Sequence, residues 1–162
     1  MGADDKAITS VALQIRAFRP SDAKSISEIL RDSTEAAQWP SESYAKLAAS
    51  PGGVFLVCET SAHLVGFLAA RQVADEAEIL NIAVNRDFRR KGAASALLIA
   101  ALDKFRSSTI TRVFLELRES NQPARALYER HGFVPSGTRN SYYRDPTEDA
   151  LCMRKKLADP SH

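Results

Sequence analysis

The chain has 162 residues, 44% of them hydrophobic and 26% charged, with a formal net charge of +2. That length suits a single domain with a sizeable core, and the balance of apolar and charged residues excludes a disordered chain. A net charge so near zero excludes wholesale affinity for nucleic acid, so any strong field must come from local clustering.

In chain order, ITSVALQIRAF alternates over Val11, Leu13 and Ile15 and predicts a strand. RPSDAKSISEILRD then offers Ser21 or Asp22 as a cap for a short helix carrying Ile26, Ile29 and Leu30. From Ser33 to Ser50 the periodicity weakens around Trp39, Pro40, Tyr44 and Leu47, which predicts a helix broken by a loop. PGG at 51–53 is a turn, and VFLVCET and HLVGFLAARQV form a hairpin whose tip lies at Thr60 to Ala62. EAEILNIAV is apolar enough for a central strand, and the three strands are expected to pair as a meander.

The stretch NRDFRRKGAASALLIAAL sets Arg86, Arg89, Arg90 and Lys91 just before Gly92 and a helix predicted from about Ala93 to Ser107. TRVFLELR follows as a strand, completing a strand–helix–strand crossover, so the sheet is expected to be mixed, antiparallel early and parallel at this point. Ser120 or Asn121 caps the next helix, QPARALYER, with Pro123 in its first turn and Gly132 at its stop. FVPSG and DALCMRKKL are the last two strand candidates.

A helix N-terminus presents unpaired N–H groups and roughly half a positive charge, so the turn at 89–95 is an anion site before any side chain contributes. Gly92 admits a phosphate oxygen close to the backbone, Ala93, Ala94 and Ser95 keep the first turn narrow, and Arg89, Arg90 and Lys91 add charge-assisted contacts. The pattern lacks the residues of both the dinucleotide fingerprint and the P-loop. Arg89-x-x-Gly92-x-Ala94 instead resembles the Q/R-x-x-G-x-G/A signature of the GNAT superfamily of acetyl-CoA-dependent N-acyltransferases. ILNIAVNRDFRRKGAASALL, LELRESNQPARALYERHGF and RNSYYRDPTEDALCM further resemble, in order and spacing, the ribosomal-protein alanine N-acetyltransferase subfamily over residues 79–153. Before residue 79 the likeness is loose and rests on QWPSESY.

The resemblance implies a GNAT-type α/β fold, a mixed and mostly antiparallel sheet with helices on both faces. It also implies acetyl transfer from acetyl-CoA to an amine by direct attack, the pyrophosphate held by the backbone of the Gly92 turn. The main chain of Ile82, Ala83 and Val84 would pair with the pantetheine arm, offering the free N–H groups of a strand that stops pairing with its neighbour. Alternation in RVFLELR puts Phe114 and Glu116 on one face, and the family places its general base at Glu116. It places the acid that protonates the departing thiolate at Tyr128. A phenol near 10 facing a thiol near 8.5 makes that transfer uphill by about 2 kcal/mol, which a short hydrogen bond to the forming anion offsets. Asn121 would serve as helix cap and coenzyme contact. The acceptor implied is the N-terminal alanine of a small-subunit ribosomal protein. Solution chemistry favours such an amine, because at pH 7 roughly one α-amine in ten is neutral against about one lysine in 2,500. Another protein N-terminus, a lysine, a polyamine or an aminoglycoside stays open as acceptor, as does a coenzyme-A-binding module without catalysis, against which Glu116 and Tyr128 together argue.

Cys58 and Cys152 read as reduced, packed thiols of a cytosolic protein. No run approaches the roughly 20 apolar residues of a membrane helix, and MGADDK lacks the parts of a secretory signal, so a cytoplasmic, membrane-free protein is expected. His63, His131 and His162 lack metal-ligand spacing and no metal is expected. Tyr142 and Tyr143 line the peptide groove in the resembling subfamily, but between strands they and Trp39 also fit plain packing. The terminal RKK lacks the aromatic platform of a nucleic-acid patch. A monomer or weak dimer with flexible ends at 1–6 and 158–162 completes the expectation.

Overall fold

A computed structural model describes residues 12–158, so Val11, His162 and the ends expected to be flexible at 1–6 and 158–162, save Ala158, lie outside the described residues. The elements run β1 (Gln14–Ala17), α1 (Ala23–Arg31), α2 (Glu42–Ala49), β2 (Gly53–Glu59), β3 (Leu64–Val73), β4 (Glu76–Val84), α3 (Ala93–Arg106), β5 (Arg112–Arg118), α4 (Gln122–Arg130), β6 (Val134–Tyr143) and β7 (Glu148–Lys156). They build one seven-stranded sheet of order β1-β2-β3-β4-β5-β7-β6, antiparallel except where β4 meets β5.

Alternation along the central strands feeds two cores. Val54, Cys58, Leu68 and Ala70 pack with Leu97, Leu98, Ala101 and Phe105 of α3 and with Leu127 and Tyr128 of α4. Their neighbours Phe55, Val57, Phe67 and Ala69 point the other way, to Ile26, Ile29 and Leu30 of α1 and Tyr44 of α2. Both faces of β2 and β3 are thereby covered, which explains why these strands read as nearly continuous apolar runs. Among the described residues, α1 packs on β3 and β4 and α2 on β2, away from β5 and β7.

Several local expectations change in detail. Residues 32–41 contain no helix, and the broken helix expected from Ser33 reduces to α2 alone, with the Tyr44 hydroxyl donating to the Trp39 carbonyl at 3.0 Å. Asp22 does not cap α1. Its carboxylate accepts from the Arg19 amide at 2.7 Å and pairs with the Arg16 guanidinium at 2.8 and 2.9 Å, because a partly buried carboxylate is better neutralised by a fork of N–H donors than by one helix amide. Asn121, not Ser120, caps α4, accepting from the Ala124 amide at 3.3 Å. β6 runs on to Tyr143, so the two tyrosines expected between strands end a strand.

The feature that makes a site is a split in the sheet. Residues 76–79 of β4 pair with 112–115 of β5, and the two strands then diverge. Leu80 is the extra residue of a bulge, since Ala69 faces Asn81 while Ala70 faces Ile79. A bulge bends and twists its strand, which carries residues 80–84 away from β5 while they keep their pairing to β3.

Candidate active site

On the α3 side of the split, the chain leaves β4 through a single 3₁₀ turn, Arg86–Phe88, and enters α3 at Gly92 with φ 87°. A left-handed backbone there favours glycine. A Cβ built on Gly92 would meet no atom within 4 Å, so the space beside it is open. The first intrahelical bond of α3 runs from the Ala96 amide to the Gly92 carbonyl at 2.9 Å, which leaves the amides of Ala93, Ala94 and Ser95 ahead of it as donors. An open space lined by donors at a positive dipole end fits a diphosphate such as that of coenzyme A.

The side chains around this turn depart from expectation. Arg89 does not reach toward the helix end. Its guanidinium donates to the Val84 carbonyl at 3.1 Å and the Ser33 hydroxyl at 3.2 Å and pairs with Glu35 at 3.3 Å. It clamps the end of β4 to the loop after α1, and any anion contact at Arg89 is left to the backbone. Lys91 stands over the Phe88 ring at 5.4 Å, and Arg90 holds a positive φ of 62°. The Ser95 hydroxyl is 3.2 Å from His131 Nε2, tying α3 to the end of α4. His131, expected to be structural or solvated, is structural and half-buried, and burial followed by the charges of Arg130 and Lys155 lowers its pKa.

Next to the split, Asn81 is 6% exposed and stitches β4 to the loop between α1 and α2, accepting from the Ala37 amide at 3.2 Å and donating to the Ala37 carbonyl at 2.8 Å. Sequence reading passed over it as one polar residue in an apolar strand. That oddity was the available signal, because a buried amide needs partners.

On the opposite face lies a groove of about 310 Å³ bordered by Glu78, Phe114, Glu116, Arg139 and Cys152. Glu116 sits in mid-strand with its side chain 19% exposed and Arg139 Nε 2.6 Å from one carboxylate oxygen. Cys152 is opposite Glu116 in the β5–β7 register and half-buried, so of the two thiols expected to be packed only Cys58 is in the core. Tyr142 and Tyr143 follow Arg139 at the end of β6, their rings 5.1 Å apart and the Arg139 guanidinium 5.6 Å over the Tyr142 ring. The Glu116 carboxylate raises the Tyr142 pKa by hydrogen bonding and charge, and burial followed by Glu116 pushes Tyr143 up to about 12. Arg118 lies 4.6 Å over the Tyr143 ring while it holds Glu148 and the carbonyls of Arg144 and Pro146. Tyr142 is thus tied to the Glu116 carboxylate, whereas Tyr143 is held by burial and by Arg118.

Tyr128 is 4% exposed within the α3–α4 core, its ring 5.6 Å from Phe133. Burial, then the nearby Tyr143, raises its pKa well above the ordinary phenol range, which corrects the expectation of a value near 10. The buried phenol stays protonated throughout the neutral range and is a weaker acid than the sequence suggested. The charge effects felt at Tyr128 and at Tyr143 place Tyr143 within electrostatic reach of both Tyr128 and Glu116. Among the described residues no cluster of three His, Cys, Asp or Glu side chains is placed to hold a metal, and no helix is long and apolar enough to cross a membrane.

A split sheet with a row of helix-end donors at one side and a carboxylate and phenols at the other is an arrangement that suits acyl transfer from an anionic carrier to an amine. The comparisons give the family. The model of the Acetyltransferase (GNAT) family matches residues 23–133. A Bacillus subtilis (strain 168) protein provisionally named a ribosomal protein bS18-alanine N-acetyltransferase is 35% identical over 86% of this chain and 92% of its own. The crystal structure of the ribosomal-protein-S18-alanine N-acetyltransferase from Escherichia coli superposes with a TM-score of 0.80 at 28% identity, covering 91% of this chain and 95% of that one. That of Ard1 from Thermoplasma volcanium gives 0.84 at 31%, covering 92% and 100%. The chain belongs to the GNAT family of acetyltransferases, and its fold is the one expected from the sequence.

Proposed function

We propose that the protein acetylates the α-amine of a protein N-terminus with acetyl-CoA as donor in the cytoplasm, and that the acceptor is the N-terminal alanine of a small-subunit ribosomal protein. The observation that carries the chemistry is the divergence of β4 from β5 after Ile79 and Leu115, with the Gly92 turn on one face and Glu116 on the other. The acceptor follows from the proteins of Bacillus subtilis and Escherichia coli, whose names specify it.

When bound, acetyl-CoA supplies the thioester carbonyl carbon and, after transfer, leaves as the thiol. The amides of Ala93, Ala94 and Ser95 hold its diphosphate, with Arg90 and Lys91 adding charge, Arg89 acting through its backbone, and Asn121 at the start of α4. The main chain of Ile82, Ala83 and Val84 lies along the split and offers N–H groups to the pantetheine arm and to the carbonyl oxygen as charge develops there. Glu116 takes one proton from the acceptor ammonium, directly or through water, and passes it to solvent. The N–C bond then forms and the C–S bond breaks. Tyr128 gives its hydroxyl proton to the departing sulfur and is restored by the proton that the nitrogen loses. Because Glu116 and Tyr128 belong to opposite faces of the sheet, base and acid address one carbonyl through the split without competing for the same proton.

The test incubates the protein with acetyl-CoA and short peptides that begin with alanine or serine or carry an internal lysine, and follows thiol release. Release with the alanine peptide in excess of the others is expected. Release with lysine alone overturns the acceptor, and no release with any amine overturns the enzymatic reading of the site.

A further inference from the structure

We propose that Arg139 is a cationic gate on Glu116 and that the acceptor's terminal ammonium takes its place. The proposal rests on the reading of Glu116 as the proton acceptor. The Arg139 guanidinium, 2.6 Å from one carboxylate oxygen of Glu116, fills the place beside that oxygen that an arriving ammonium would take. The two partners are unequally placed: Glu116 is 19% exposed in β5, whereas Arg139 is 61% exposed on β6, the outermost strand of the sheet. An ion pair with one partner in water is weak and readily exchanged.

The surroundings single out Arg139 as the movable cation. Arg118 is tied to Glu148 and two carbonyls, and Arg71 is paired with Glu78 at 3.2 Å. Arg139 also has a second seat, since its Cζ lies 5.6 Å over the Tyr142 ring, so leaving Glu116 does not strand the guanidinium. The groove bordered by Phe114, Glu78 and Cys152 opens beside the pair and gives the incoming chain its approach. At pH 7 roughly nine in ten α-amines are protonated, so an arriving N-terminus trades cation for cation and leaves no carboxylate unpaired. A blocked N-terminus has no charge to trade. The gate thus admits a free amine and gives no advantage to an acetylated product.

Isothermal titration tests this with the full chain saturated with coenzyme A, which prevents turnover, using an alanine-first peptide and its Nα-acetylated form. In Arg139→Gln the dissociation constant of the free-amine peptide is expected to fall about two- to fivefold, the span of an exposed ion pair. In Arg139→Lys it stays near wild type, and the acetylated peptide binds all three proteins alike. Unchanged or weaker binding of the free amine to Arg139→Gln overturns the gate. Equal gains for both peptides also overturn it, since Arg139 would then be only a steric obstruction. These binding arms decide the gate whether or not the thiol-release assay upholds the acceptor.

Discussion

The Gly92 turn and the Glu116 groove flank the same split in the sheet, yet they are assembled differently. The turn is made of consecutive residues: a strand, a left-handed glycine and the first turn of a helix fix its donors by backbone geometry alone. The groove needs side chains from β4, β5, β6 and β7, from Glu78 to Cys152, and it exists only when those strands are in register. A site of the first kind shows itself in a short window of sequence. One of the second kind shows at most its individual members, and their partners come from the fold.

This contrast can be broken by experiment. Glu116→Gln should reduce kcat about a thousandfold while the affinity for acetyl-CoA, measured by titration calorimetry, stays unchanged; near-normal turnover would remove Glu116 as the base. Tyr128→Phe is expected to lower kcat roughly a hundredfold with little change in the KM for acetyl-CoA, and a loss confined to KM would mean that the phenol only packs. Asn81→Ala strips the partner from two main-chain groups of Ala37 and should cost about 1–3 kcal/mol in denaturant unfolding. Because Asn81 sits on β4 yet holds the loop before α2, its variant should also weaken peptide binding more than coenzyme binding. The reverse order would erase the division between the two sides. Gly92→Ala forces a Cβ into a left-handed backbone at about 1–2 kcal/mol, and the dissociation constant for acetyl-CoA should rise roughly five- to thirtyfold while peptide affinity holds.

The smallest effect concerns the tie between α3 and α4. Since the folded protein lowers the pKa of His131, the unfolded chain binds that proton more readily. Stability is therefore full above the unfolded value of about 6.5 and declines as the pH falls from there through the folded value. His131→Gln should flatten that slope in thermal melts between pH 7 and 5, and an unchanged slope would place its cause elsewhere.

Much of the fold was legible because its signals are local. The alternation in β2, β3 and β5, the apolar run of β4, the Asn121 cap and the Gly132 stop each depend on neighbours within a few residues. Arg89 shows where that reading fails. In a row of cations before a glycine it looked like a phosphate ligand, but Ser33 and Glu35, more than 50 residues earlier, claim its guanidinium. Tyr128 failed differently. Its place on α4 was correct, whereas its acidity depends on how completely the core buries it and on Tyr143 from another strand.

By itself, the sequence determined the order of the strands and helices, the glycine turn before α3 and the family to which the chain belongs, since backbone preference and hydrophobic period act over a few residues. Only the tertiary structure decided that Arg139 sits on Glu116, that Arg118 lies over Tyr143, and that Asn81 and Arg89 secure the loop after α1. Hydrogen bonds and ion pairs act over a few ångströms of space, and residues far apart in the chain come within that range only once the sheet has formed.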